Sequence, residues 1–183
     1  MPEFLNIYIF HRVPEKAIYV GGHSLFWDAR CSGIYIGFGI GLAYLLIAGR
    51  KDKDLPPRHI LFINTLMFFP MFIDLISIWA GLREPSNAMR YLTGILFGGA
   101  FSVYLYPAFV SLVFSDGRNH AAINSVIKYG IFIFASFTAF LVKEVDHIMT
   151  FIILCALSFT GFISLLIIVV IGSIKGVSKL SRG

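Results

Sequence analysis

One carboxylate in this chain stands where a carboxylate is costly. Asp74 lies in the apolar run 60–80, about six residues from its end. An ionised acid inside a bilayer costs about 2.5–3.5 kcal/mol on insertion scales, so it is expected to be neutral, paired, or turned toward a polar cavity. Its helical face continues to Ser77 and Gly81. Downstream, Ser86, Arg90 and Thr93 recur at i, i+4 and i+7 and share one stripe, with Arg83 and Asn87 beside them. An Asp74–Arg90 ion pair between two helices is the expectation. Asp74, Arg83, Ser86, Asn87, Arg90 and Thr93 then form a candidate ligand-binding site, in which arginine suits phosphate because its planar fork donates two hydrogen bonds at once. The plain alternative is a pair that only locks two helices.

A second cluster precedes the first long apolar run: His11, His23, Asp28 and Cys31. Imidazole, carboxylate and thiolate are all transition-metal ligands, so these four make a candidate metal site. Their spacing matches no closed zinc motif, and the plain alternative is a set of interfacial polar groups. No phosphate-binding glycine loop, dinucleotide fingerprint, HExxH or GxSxG occurs. No catalytic residue and no cofactor is named by the sequence.

These residues must be positioned by a membrane-embedded scaffold. Of 183 residues, 57% are hydrophobic and 14% charged, against roughly half and a quarter in soluble domains. The excess sits in charge-poor runs at 32–48, 60–80, 91–114, 123–142 and 148–174. Each is long enough, at about 1.5 Å per residue, to approach a hydrocarbon core of about 30 Å. The fold class is therefore an all-α integral membrane protein, a bundle of about five transmembrane helices. Residues 1–31 read as an interfacial, partly irregular N-terminal segment, 32–114 as a motif-bearing three-helix core, and 115–183 as two further helices with a basic tail. Pro70 falls inside the second run, where neighbouring helices can satisfy a freed carbonyl. Ser86 suits the N-cap of the third. No cleavable signal is expected at the N-terminus, and no Cys31–Cys155 disulfide.

The net charge of +5 is assigned to lipid headgroups and not to nucleic acid, since the basic residues flank apolar runs and the aromatics suit interfacial belts. Nine Lys and Arg lie on the side of loop 50–59 and the C-terminus, against six on the other. The positive-inside rule then predicts a multi-pass cell-membrane protein with its N-terminus outside and its C-terminus cytoplasmic. Gly33, Gly37 and Gly41, and separately Gly94 and Gly98, recur every four residues. Small residues at that spacing let helix backbones approach closely, which predicts packing of the first span on the third. A homodimer or larger membrane complex through one stripe is the alternative.

Two stretches together resemble a family of small prokaryotic membrane proteins catalogued as domain of unknown function 2085. The first is His11-Arg12-Val13-Pro14-Glu15-Lys16, then Gly21-Gly22-His23 and Ala29-Arg30-Cys31-Ser32-Gly33-Ile34-Tyr35. The second is Asp74, then Ser86-Asn87-Ala88-Met89-Arg90-Tyr91-Leu92-Thr93-Gly94 and Gly98. The resemblance covers about residues 10–100 and leaves the last two spans outside. Family cysteines correspond to Phe10 and Asp28 here, so one thiol of three, Cys31, remains. The resemblance implies a membrane protein and sharpens the site, but implies no reaction. Three functions stay open: binding or transport of a small anionic or lipid-headgroup ligand at the extracytoplasmic face, an accessory membrane subunit without its own ligand, and a metal- or thiol-dependent membrane enzyme.

Overall fold

The computed structural model describes residues 14–114 and 117–180. After a short 3-10 turn, β1 (Ala17–Val20) and β2 (His23–Asp28) pair antiparallel, with Val20 opposite His23 and Tyr19 opposite Ser24. Gly21 and Gly22 join them at φ +59° and +74°. Two successive positive φ values match the right-handed twist of a tight hairpin, and glycine adopts them without a Cβ clash. The partly irregular segment expected before the first span is thus corrected to a β-hairpin. A glycine pair between two short runs rich in β-branched and aromatic residues is the signal. Ile18, Val20 and Leu25 turn into the core and meet Ile36, Tyr91, Ile95 and Leu154. The Gly21 N–H donates to the Asp146 side chain, which docks the hairpin on the last inter-helix loop.

Helix α1 (Ala29–Ala48) begins at once, capped by Asp28, whose Oδ1 accepts from the Cys31 N–H at 2.8 Å. The second span is broken into α2 (Arg58–Leu66) and α3 (Phe69–Trp79). Pro70, in the first turn of α3, has no N–H to continue the ladder, and the break falls just before it. Then follow α4 (Asn87–Val113), α5 (Val126–Val142) and α6 (Ile148–Leu180). Among the described residues four apolar rods are long enough to cross a bilayer, namely α1, the Arg58–Trp79 pair, α4 and the Ile148–Lys175 part of α6; α5 is shorter, at 17 residues.

Helices α1 and α4 make the closest contact, through the two glycine stripes. A Cβ at Gly33 would stand 3.1 Å from Gly94 Cα, and one at Gly37 would stand 2.8 Å from Ile95 Cα. One at Gly98 would stand 2.9 Å from the Phe38 nitrogen. The stripe predicted to join the first and third spans does so within one chain. A second close approach, not foreseen, sets α1 on α6: a Cβ at Gly161 would lie 3.2 Å from the Gly39 nitrogen. Deeper, the buried Asn64 of α2 donates to the Ala100 carbonyl at 3.1 Å and accepts from the Tyr129 hydroxyl at 3.2 Å, tying α2, α4 and α5. Outward-facing Phe62, Phe69, Phe72, Ile76 and Trp79 cover α2 and α3 with apolar surface suited to lipid.

The bundle has two ends. The hairpin end gathers residues 14–28, 80–86 and 143–147. The other, the basic end, gathers 49–57 and 117–125, where β3 (Asp52–Asp54) and β4 (Arg118–Ala121) pair parallel. There the buried Asp52 bonds Arg118 at 2.9 Å.

Candidate polar site at the hairpin end

Asp74 sits in the last two turns of α3 with its side chain 1% exposed. Each carboxylate oxygen takes one guanidinium. Arg30, in the first turn of α1, places Nη2 2.6 Å from Oδ2. Arg83, in the loop after α3, meets Oδ1 through its own Nη2. Arg83 is steadied by a 3.3 Å hydrogen bond from Nε to Ser77 Oγ, and Ser77 in turn donates to the Ile73 and Asp74 carbonyls of α3. The expectation that Asp74 would be paired holds, but its expected partner does not. Arg90 donates at 3.4 Å to Asn87 Oδ1, one turn back on its own helix, and Arg30 and Arg83 hold the acid. The reason lies in helix packing. A Cβ at Gly94 would lie 2.5 Å from the Arg30 carbonyl oxygen, so the glycine contact brings the start of α1 into the space an Arg90–Asp74 pair would need.

The remaining sequence-derived residues divide between the site and the scaffold. Ser86 occupies the N-cap position of α4 in an extended conformation, and its carbonyl accepts from the Arg90 N–H at 3.0 Å; its side chain makes no capping bond. Asn87 Nδ2 donates to the Glu15 and Ala17 carbonyls at 2.9 and 3.2 Å, so it fastens the hairpin to α4. Thr93 is buried and donates to the Met89 carbonyl at 2.9 Å. The stripe of Ser86, Arg90 and Thr93 is therefore largely engaged in its own helix.

Of the metal candidates, Asp28 and Cys31 adjoin at the start of α1. Asp28 caps α1, while His23 is exposed and sets its ring 5.2 Å from that of Phe151. Cys31 is a half-buried free thiol, and His11 lies outside the described residues. Among the described residues no group of three or more His, Cys, Asp or Glu is placed to hold an ion.

The residue of the site that sequence reasoning does not pick out is Arg30. A signal for it exists: it stands three positions before Gly33, at the start of a span, on the membrane side of Asp74. Its Nε is buried without a hydrogen-bond partner among the described residues. A buried N–H left unpaired costs about 1–3 kcal/mol, so this donor lacks the acceptor that would offset its burial. The two arginines also leave one surplus positive charge over the single carboxylate.

Relatives locate the chain. A 107-residue stretch is 32% identical to an uncharacterized protein of Methanocaldococcus jannaschii, covering 58% of this chain and 67% of that protein. Another of 96 residues is 33% identical to an uncharacterized protein of Methanothermobacter thermautotrophicus, covering 52% and 83%. No solved structure matches the chain. A family described as "Predicted membrane protein (DUF2085)" matches residues 10–104, which contain the hairpin, the glycine-packed helices and the whole Arg30–Asp74–Arg83 cluster. The chain belongs to this membrane-protein family.

Proposed function

We propose that the hairpin end binds a small anion, either free phosphate chemistry or a lipid phosphate headgroup, through Arg30, Arg83 and Arg90. The observation that carries this reading is the arginine surplus at Asp74. One buried carboxylate holds two arginines whose side chains remain 20% and 32% exposed, so two positive charges stand against one negative. Asp74 sets the orientation of both forks, as a fixed counter-charge does in bidentate recognition. Glu84 and Glu144 are exposed at the same end, so the attraction is short-ranged and favours a ligand that reaches the guanidiniums directly. Asn87 adds a polar group beside Arg90, from which it accepts at 3.4 Å. The basic loop 50–59 supports placing the hairpin end outside the cell and the C-terminus inside.

The test is thermal unfolding of the purified protein in detergent against inorganic phosphate and glycerol 3-phosphate, with chloride at matched ionic strength. A ligand present at 100 times its Kd adds about 2.7 kcal/mol of stability, a shift of several degrees. The proposal expects that shift for a phosphate probe and its loss in Arg30→Gln and Arg90→Gln. Equal shifts in chloride, or shifts retained by both variants, would overturn it.

An accessory role without a ligand draws support from one feature, the full pairing of both Asp74 oxygens. It predicts that a variant with Asp74, Arg30 and Arg83 all changed to apolar residues folds and complements a deletion strain. The binding reading predicts a folded but inactive variant.

A further inference from the structure

The arginine cluster is framed by side chains that favour the boundary between hydrocarbon and water. Both tryptophans of the chain stand beside it in sequence. Trp27 comes shortly before Arg30, and Trp79 lies between Asp74 and Arg83. Trp79 is 89% exposed, and Leu82, next to Arg83, is 78% exposed. Tyr19 and Phe26 of the hairpin are exposed as well. Tryptophan and tyrosine concentrate at the headgroup level of a membrane, where one part of the ring is dry and the other wet. Large apolar side chains standing so far out of the protein are accommodated by lipid. Trp79 and Leu82 therefore set the end of α3 at headgroup depth, and Asp74 lies about 7.5 Å further along the helix, at about 1.5 Å per residue.

Arg83 reaches back to that depth. Its Nε bonds Ser77 and its Nη2 meets Asp74, so the side chain runs beside the helix that it follows. Ser77 comes one helical turn after Ile73, shares its face and donates to its carbonyl. Ile73 and Ile76 are largely exposed. The Arg83 guanidinium thus borders the apolar surface that α3 turns outward.

Charge over the whole end is balanced. Among the described residues Lys16, Arg30, Arg83, Arg90 and Lys143 stand against Glu15, Asp28, Asp74, Glu84, Glu144 and Asp146. The surplus at Asp74 is local, and at a distance of about 8–10 Å salt screens it as well. The end as a whole carries no excess of positive charge to draw a dissolved anion from water. A ligand already held at headgroup depth needs no such attraction.

We infer that the anion of the hairpin end is the phosphate of a membrane phospholipid, whose chains lie along the outward face of α3 beside Ile73 and Ile76. This rests on the reading of the cluster as a phosphate site, and names the source of the phosphate. Recognition falls on the phosphate diester and not on the net charge of the headgroup. A zwitterionic phospholipid therefore suffices, and a diacylglycerol, which has the chains without the phosphate, does not.

Native mass spectrometry of the delipidated protein in detergent tests the inference, with phosphatidylcholine and diacylglycerol of matched chains added in equal amounts. The expected result is one phosphatidylcholine retained per chain, at least tenfold over diacylglycerol. Glycerol 3-phosphate, which lacks the chains, should need at least a hundredfold higher concentration to occupy the site. Arg83→Gln should weaken retention about tenfold, as expected for one lost charge-assisted hydrogen bond. Arg90→Gln, which breaks no ion pair among the described residues, is the second variant and should weaken retention likewise. Melting curves verify that each variant is folded. Equal retention of phosphatidylcholine and diacylglycerol, or full retention by both folded variants, would overturn the inference. Glycerol 3-phosphate bound as tightly as the phospholipid would overturn it and leave the phosphate site standing. Binding of neither would remove both readings.

Discussion

Replacing Asp74 with leucine removes the one anion that holds two guanidiniums at the hairpin end. Unit charges about 4 Å apart interact by roughly 4 kcal/mol at an effective dielectric of 20, which bounds each pair from above. Breaking a fully buried pair costs about 3–5 kcal/mol, chiefly because it strands a charge. Here the stranded groups are 20% and 32% exposed and keep part of their hydration, so the loss for Asp74→Leu should fall near 3 kcal/mol. Asp74→Asn should be no milder. Each carboxylate oxygen faces one arginine, so the amide would turn an N–H₂ donor against a guanidinium donor. Double-mutant cycles then rank the partners. Coupling of Asp74→Leu with Arg30→Met should be about 1.5–3 kcal/mol. Coupling with Arg83→Gln should be about 1 kcal/mol, since Arg83 is on a loop and can swing into water. Coupling with Arg90→Gln should lie within about 0.5 kcal/mol of zero, as expected for sites with no shared contact. The assay is reversible unfolding in mixed micelles, followed by tryptophan fluorescence. Stronger coupling to Arg90 than to Arg30, or a neutral Asp74→Leu, would refute the assignment of the pair.

Other perturbations test the scaffold. Gly37→Leu should destabilise by at least about 3 kcal/mol, because the new side chain would meet the Ile95 backbone of α4, which cannot rotate away. Gly130→Leu on α5, where no atom stands within 4 Å of the point a Cβ would occupy, is the matched control and should be tolerated; equal melting of both variants would rule out the glycine seam. Asn64→Leu should cost about 1–2 kcal/mol, since it removes the partner of both the Ala100 carbonyl and the Tyr129 hydroxyl. An unchanged melting curve would show that those bonds contribute nothing. For orientation, single cysteines at the exposed Glu84 and Asn119 in a Cys31→Ser background should label from outside intact cells only at Glu84. The opposite pattern would invert the topology.

What the sequence reveals depends on how local its cause is. The spans are legible because charge-free length is a property of each segment alone, and the α1–α4 seam because glycine every four residues marks a helix face without reference to a partner. The break before Pro70 and the turn at Gly21-Gly22 also have local causes, and the hairpin escapes notice only because a short polar segment beside a membrane reads as irregular. Pairing across helices is another matter. That Asp74 needs a cation follows from burial, but Arg30, Arg83 and Arg90 all lie on its membrane side. Choosing among them requires the rotation and depth of α1 relative to α4, which the Gly94 contact sets. Likewise Gly39 and Gly161 carry no repeat that would announce their contact, and Asp52 reads as an ordinary loop acid until β4 brings Arg118 alongside.

The same glycine seam explains why the two ends of the bundle present their charges differently. Along the seam of Gly33, Gly37, Gly94 and Gly98 the backbones of α1 and α4 leave no room for a side chain between them, and Arg30, just before it, reaches the acid of α3. At that end Asp74 draws two arginines to itself and leaves one positive charge unmatched. Toward the basic end the seam changes character. Gly41 faces Ser102 and the Phe132 ring, and one turn later Leu45 and Tyr106 fill the gap with side chains. Two cavities border Leu46 and Phe109 there. The loop at this end is anchored through Tyr106 and Arg118 by its backbone, and Arg50 is exposed. One end of this helix pair thus gathers two arginines on a buried carboxylate, and toward the other the glycine seam gives way to Ser102, Leu45 and Tyr106.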